Sequence, residues 1–188
     1  MAHARLNDDE LVERISEIFR SDGYEGASLS RIAAATGMEK ASLYFRFPGG
    51  KQDMVDAVIR RVNEWFRENV LAPLAGPETP VERLKMVAKR LKDFYGDGKK
   101  SCVLDTLSLP AGSDRLREAL RETLIKWMQA FTNIAKESGF APAEARARAE
   151  RAIIDLEGSL VVSRVLADPK PFRRALERLP NLLTGEGK

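Results

Sequence analysis

The sequence predicts an all-α protein. Apolar residues recur at three- and four-residue intervals along most of the chain, the period of an amphipathic helix. No β-hairpin signature, strict apolar–polar alternation or internal repeat interrupts that pattern. Ala, Leu, Arg and Glu are abundant while β-branched runs are few, which favours helix over strand. At 188 residues the chain can form one sizeable domain, or a small head joined to a larger body.

The elements follow in order. Asn7 with Glu10 has the form of a capped helix start, and Leu11, Ile15, Ile18 and Phe19 make an apolar stripe ending before Gly23. Ser28 caps a second, short helix whose inward residues are Ile32 and Ala33. "ATGMEK" breaks it at Gly37, and a third short helix runs from Lys40 to Phe47. Pro48-Gly49-Gly50 stops that helix, and a longer one is expected from Lys51 to Val70. "LAPLAGPETP" (Leu71–Pro80) reads as a linker. Val81, Leu84, Val87 or Ala88, Leu91, Phe94 and Tyr95 then mark an amphipathic helix, and "YGDGKKSC" a turn. Leu116, Leu120, Leu124, Trp127, Phe131 and Ile134 keep helical spacing from a Ser113 cap. Pro142 opens a further helix that runs to Ala167, and Pro169-Lys170-Pro171 separates it from the last one. The layout is a three-helix head in residues 1–50, then a connecting helix and a larger helical body in 51–188.

Composition narrows the function classes. No apolar run approaches the ~18 residues of a membrane span, so no membrane partner is expected. The N-terminus lacks an apolar core of signal-peptide length, which points to the cytoplasm. Cys102, the one cysteine, excludes an intramolecular disulfide. An enzyme is poorly supported. The single histidine, His3, stands near the N-terminus, Cys102 has no histidine near it in sequence, and no metal-ligand cluster, phosphate loop or Gly-x-Ser-x-Gly occurs. No catalytic residue, metal or cofactor is therefore assigned, and a carboxylate-only catalytic site is left as an alternative. The net charge of +3 is mild, but Arg31, Lys40, Arg46 and Lys51 face only Glu39 within residues 28–51. That local surplus suits an anionic target.

The stretch "SLYFRFPGGK" (Ser42–Lys51) carries three rings on one short helix of a chain that is only 7% aromatic. At ~100° per residue, Leu43 and Phe47 share the core side, and Tyr44 and Arg46 lie on opposite flanks. Phe45 then falls on the far side with Ala41 and Ser42. Small residues allow close approach to a major groove, and an apolar ring can pack on thymine methyls. Tyr44 and Arg46 can bond phosphates, and Lys51 opens the next helix, whose free N–H groups favour an anion. The alternative is that Phe45 packs elsewhere in the protein. The two short helices around Gly37 have helix-turn-helix spacing, with the small Ala33 where such helices cross.

Residues 18–59, with Phe19, Gly23-Tyr24, Ser28-Leu29, Ile32-Ala33, Gly37, Leu43-Tyr44, Phe47 and Lys51 in register, resemble the N-terminal domain of the TetR family of bacterial transcriptional regulators. The doubled glycine of "FPGGK" is similar to a drug-responsive, LmrA/QacR-like branch. Met38 stands where the family usually has valine, and Phe45 where it has a polar residue, tyrosine or histidine, so the operator sequence does not follow from the resemblance. The resemblance implies that Ser28, Ser30 and Arg31 face phosphates. Lys40, Ala41, Ser42 and Phe45 would approach base edges, while Tyr44, Arg46 and Lys51 hold the backbone of double-stranded operator DNA.

In the body, "AIIDLEGSLVVSRVL" is apolar on two sides, so this helix meets both a core and a second partner, or sits centrally in a monomer. The resemblance implies a homodimer built on the last two helices, through Ile154, Gly158, Val161, Val162, Val165, Phe172, Leu176, Leu179 and Leu183. Trp65, Phe66, Met86, Phe94, Tyr95, Cys102, Leu104, Leu107, Trp127, Met128 and Phe131 read as plain core or as a pocket wall. The resemblance implies an effector pocket there, for a small hydrophobic or aromatic ligand. The expected function is a ligand-responsive repressor that binds a palindromic operator and leaves it when the effector binds. A helical small-molecule carrier without DNA binding is the alternative.

Overall fold

The computed structural model describes residues 6–108 and 114–185, and every regular element among them is helical. The chain divides into two compact units. One comprises the chain up to Glu64 together with Val103–Leu120; the other comprises Trp65–Cys102 and the chain from Arg121 onward.

The first unit begins with α1 (Asp8–Gly26). Asn7 Oδ1 accepts the Glu10 N–H at 2.8 Å, and Glu10 Oε2 accepts the Asn7 N–H at 3.1 Å. This capping box satisfies two orphan donors at once. Leu11, Ile15 and Phe19 are buried along one stripe. Gly23 interrupts the helix at φ +68°, ψ −175°, a region open essentially to glycine alone, and a further turn follows it. Gly23→Ala should therefore cost about 1–3 kcal/mol of stability, read as a lower denaturant midpoint at unchanged slope. An unaltered midpoint would show that the backbone relaxes there without strain.

Next come α2 (Leu29–Thr36), α3 (Lys40–Arg46) and α4 (Lys51–Phe66), which place Ile32, Leu43, Phe47, Met54, Val55 and Val58 in the core of this unit. A helix not anticipated from sequence, α7 (Val103–Ser108), packs on α1 and buries Val103 and Leu107. Six residues are too few to display a period. The start of α8 (Asp114–Glu137) adds Leu116 to the core, and Arg115 pairs with Asp56 at 2.7 Å. The expected Ser113 cap lies outside the described residues.

In the second unit the helix expected to run to Val70 leaves α geometry after Phe66, and a π-helix spans Arg67–Leu71 before α5 (Ala72–Leu74). The supposed linker from Leu71 is thus helical through Leu74, and only residues 75–79 form a turn. Pro73 has no N–H for the Asn69 carbonyl four residues earlier, and its ring crowds that turn. The π-turn widens the backbone there, and Arg90 donates to the Glu68 and Asn69 carbonyls at 3.3 and 3.4 Å. Pro80 starts α6 (Pro80–Phe94) behind a second capping box, Thr79 with Glu82. A proline at the first helical position is a start signal, not a break.

α8 buries Leu120, Trp127, Phe131 and Ile134 as expected, but Thr123 takes the inward place assigned to Leu124, which is 41% exposed. The last helices are α9 (Pro142–Leu166) and α10 (Lys170–Thr184). Ser163 Oγ accepts the Phe172 N–H at 3.0 Å, satisfying a donor in the first turn of α10. Because α10 packs on both α9 and α6, most of its apolar stripe is covered inside the unit. Phe172, Leu176, Leu179 and Leu183, expected at a dimer interface, are buried core residues instead.

Candidate nucleic-acid interface

One cap and one glycine build the site. Ser28 Oγ accepts the Arg31 N–H at 3.2 Å and starts α2. Gly37, at φ +68°, ends it, and the Met38 N–H reaches back to the Ala33 carbonyl at 3.2 Å. The chain is thereby turned into α3, which Glu39 precedes without a side-chain cap bond. Leu43 and Phe47 pin α3 to the core, so the helical period forces the opposite face outward. Phe45 is 87% exposed and Tyr44 53%, and Lys40, Ala41 and Ser42 are exposed beside them. The ring that could not be buried does not pack elsewhere among the described residues.

An open cleft of about 1160 Å³ lies against this face, lined by Ala41, Ser42, Phe45 and Arg46 of α3 and by Glu10 and Arg14 of α1. Arg14 and Met38 also line this cleft, and neither was assigned a DNA-binding role from sequence. Arg14 stands four residues after Glu10 on α1, and this helical spacing was the available signal.

Three of the four cations of this segment already hold internal partners. Arg31 Nε lies 2.9 Å from Asp22, whose carboxyl is held below its ordinary pKa by the Ser21 hydroxyl and then by Arg31. Arg46 Nη1 lies 2.7 Å from Asp8 and donates from Nη2 to the Leu6 carbonyl at 3.4 Å. Exposed pairs of this kind are worth about 0–1 kcal/mol, so a phosphate can displace the carboxylate at little cost. Lys51 differs. Its Nζ donates to the Tyr24 carbonyl at 2.8 Å and lies 4.4 Å above the Tyr24 ring, tying the start of α4 to the end of α1. Asp53 accepts the Gly49 N–H at 2.7 Å, which sets one of the chain's own carboxylates beside the start of α4, where an anion was expected. Lys51→Ala should therefore lower stability by about 1 kcal/mol as well as weaken DNA binding. An unchanged melt would show that the Tyr24 contact contributes nothing in solution.

Elsewhere, the expected pocket residues distribute over both units. Leu104 and Leu107 belong to α7 of the first. In the second, Trp65 stacks on Phe94 and Phe66 on Trp127, each pair with centroids 3.9 Å apart. Tyr95 meets Phe172 edge-on, and its hydroxyl donates to Cys102 Sγ at 3.6 Å. Met86 and Met128 are half-buried and Phe131 is buried. The Trp127 indole N–H is buried with no acceptor among the described residues. On the outer face of α9, Ile154, Val161, Val162, Val165 and Leu166 are exposed. A Cβ at Gly158 would meet nothing within 4 Å. Among the described residues no His, Cys, Asp and Glu group could hold a metal, and no helix is long and apolar enough to cross a membrane.

A capped helix, a glycine turn and an outward-facing short helix pinned by Leu43 and Phe47 define a helix-turn-helix DNA-binding head on an all-α body. The profile described as "Bacterial regulatory proteins, tetR family" matches residues 11–58, and that of the "Transcriptional regulator LmrA/YxaF-like, C-terminal domain" matches residues 80–178. The chain belongs to the TetR family of transcriptional regulators, with a body of the LmrA/YxaF-like type. It is 25% identical to the HTH-type transcriptional regulator LmrA of Bacillus subtilis over 93% of this chain and 95% of that protein. A TetR transcriptional regulator from Legionella pneumophila has the same fold, with a TM-score of 0.84 at 17% identity over 96% of this chain and all of that one (100%). CifR, a TetR family regulator solved as a cysteine mutant with 26 bp operator DNA, matches with a TM-score of 0.72 at 19% identity, covering 96% of this chain and 98% of that chain.

Proposed function

We propose that the protein is a homodimeric repressor that binds a palindromic operator and is released by a small apolar or aromatic effector. The observation that carries the DNA-binding reading is the outer face of α3, where Phe45 stands 87% exposed beside Ala41 and Ser42. In this reading residues 1–50 form the DNA-binding domain and residues 51–188 the effector and dimerisation domain. Lys40, Ala41, Ser42 and Phe45 meet base edges; Ser28, Ser30, Arg31, Tyr44 and Arg46 meet phosphates; and Lys51 positions the start of α4. Ile154, Gly158, Val161, Val162 and Val165 form the dimer contact. The operator complex of CifR supports a DNA partner. Footprinting should reveal two half-sites related by a two-fold axis and about one helical turn, ~34–36 Å, apart or slightly more. One asymmetric half-site bound by a monomer would overturn this reading.

The effector reading rests on the aromatic residues of the second unit. Trp127 offers a buried N–H with no acceptor among the described residues, and leaving such a donor unsatisfied costs about 1–3 kcal/mol. An aromatic ligand carrying an acceptor would relieve that cost. Helix α4 begins with Lys51, next to the interface, and ends with Phe66, which stacks on Trp127. One continuous helix therefore carries a residue of each proposed site, a connection that coupling requires. With a ligand found by tryptophan quenching and held at saturation, operator affinity should fall about 5- to 150-fold. Unchanged or tighter DNA binding would sink the release mechanism and leave the DNA-binding assignment standing.

A further inference from the structure

A second cavity, of about 430 Å³, lies between α6 and α10, within the range of about 300–1000 Å³ usual for small-molecule sites. Its floor is apolar: Ala88 from α6, Leu176 and Pro180 from α10. Its rim is basic, because Lys85, Lys89 and Lys92 follow one another along one face of α6. Neighbours at such spacing repel by a few tenths of a kcal/mol each. Among the described residues Glu82 lies near Lys85 and Asp97 near Lys92, and both carboxylates have other partners. Lys85 and Lys89 form no ion pair among the described residues, and Lys92 reaches Asp97 only at 4.0 Å. Glu82 is spent on the Thr79 cap, and Asp97 on a bidentate clamp with Arg173. Across the groove Arg173 is held by Asp97 and Glu177 adds one negative charge, so Lys85, Lys89 and Lys92 leave the lining with a positive surplus.

We propose that this groove binds a small carboxylate with an apolar tail, its head among Lys85, Lys89 and Lys92 and its tail on Ala88, Leu176 and Pro180. Charge alone would suit any anion, but the floor adds a reward only for an apolar tail. A multiply charged ligand would leave that floor uncovered. The inference does not depend on the DNA-binding reading. Both flanking helices belong to the second unit, and the groove shares no residue with the aromatic cluster around Trp127.

The test uses full-length protein and three probes below micellar concentration: octanoate, octan-1-ol and acetate. Titration calorimetry should give one octanoate per chain. In a Lys85→Gln/Lys89→Gln variant octanoate should bind about tenfold more weakly, since two charge-assisted bonds are lost. Octan-1-ol should bind more weakly than octanoate to the native protein and equally to both forms. Both lysines are exposed, so the thermal melt of the variant without ligand should match that of the native chain. Equal octanoate affinity in the two proteins would locate the ligand elsewhere and overturn the proposal. So would acetate binding as tightly as octanoate, or no octanoate binding at all.

Discussion

Replacing Val161 and Val165 together by glutamate is expected to convert the protein from a dimer to a folded monomer and to abolish tight operator binding. The argument begins with what the face of α9 lacks. Ile154, Val161, Val162, Val165 and Leu166 are exposed, Val165 by 80%, while Leu156 and Leu160 on the other side are buried against the unit's own core. A helix apolar on both faces needs a second surface to cover the outer one. Gly158 sits in the middle of that outer face with open space above it, so another helix can approach closely. Covering these side chains in two copies would contribute on the order of 1 kcal/mol apiece, enough in sum to offset the cost of association. Two carboxylates per copy, brought together and desolvated at a two-fold contact, would cost several kcal/mol. The substitutions barely touch the monomer, because the replaced side chains point outward. Sedimentation should then give the 21.0 kDa chain mass and not twice that. Operator affinity should fall by a hundred- to ten-thousandfold, since each head must bind its half-site alone. A variant that stays dimeric, or a native protein already monomeric at micromolar concentration, would overturn the α9 interface.

The dimer face illustrates how far the sequence could be read. That α9 is apolar on two sides is visible in the order of its residues, but which residues face in and which face out is set by its packing on α10. The same packing moved Phe172, Leu176, Leu179 and Leu183 from the expected interface into the core. Their amphipathic stripe was legible; the partner it meets was not. The head was more legible because its signals are local. Asn7 with Glu10, Ser28 and Gly37 each act on backbone groups within a few residues. Prolines misled where their meaning depends on context. Pro73 continues a helix because a π-turn and Arg90 accommodate it, and Pro80 opens one behind a Thr79 cap that was present in "TPVE" and not recognised. The internal partners of Lys51 and Arg46 could not be foreseen, since Tyr24 and Asp8 stand 27 and 38 residues away in the chain.

Phe45→Ala is expected to change which operator is preferred more than how tightly DNA as such is held. The ring is the most exposed of the large apolar side chains on α3, so the folded protein alone gives it little to do. Removing it should leave stability within about 0.5 kcal/mol of native, as is usual for exposed positions away from caps and cores. Non-specific affinity comes chiefly from cations on phosphates, and this substitution removes none of them. The loss should therefore fall on the native operator, by about 1–3 kcal/mol, and the salt slope should stay the same. Tyr44→Phe makes the opposite case. It deletes a hydroxyl at the rim and should weaken native and random duplexes alike. Parallel titrations of both variants against the native operator and a scrambled duplex, at two salt concentrations, separate these outcomes. Equal losses on both duplexes for Phe45→Ala would mean that the ring does not meet base edges, and would remove it from the recognition surface.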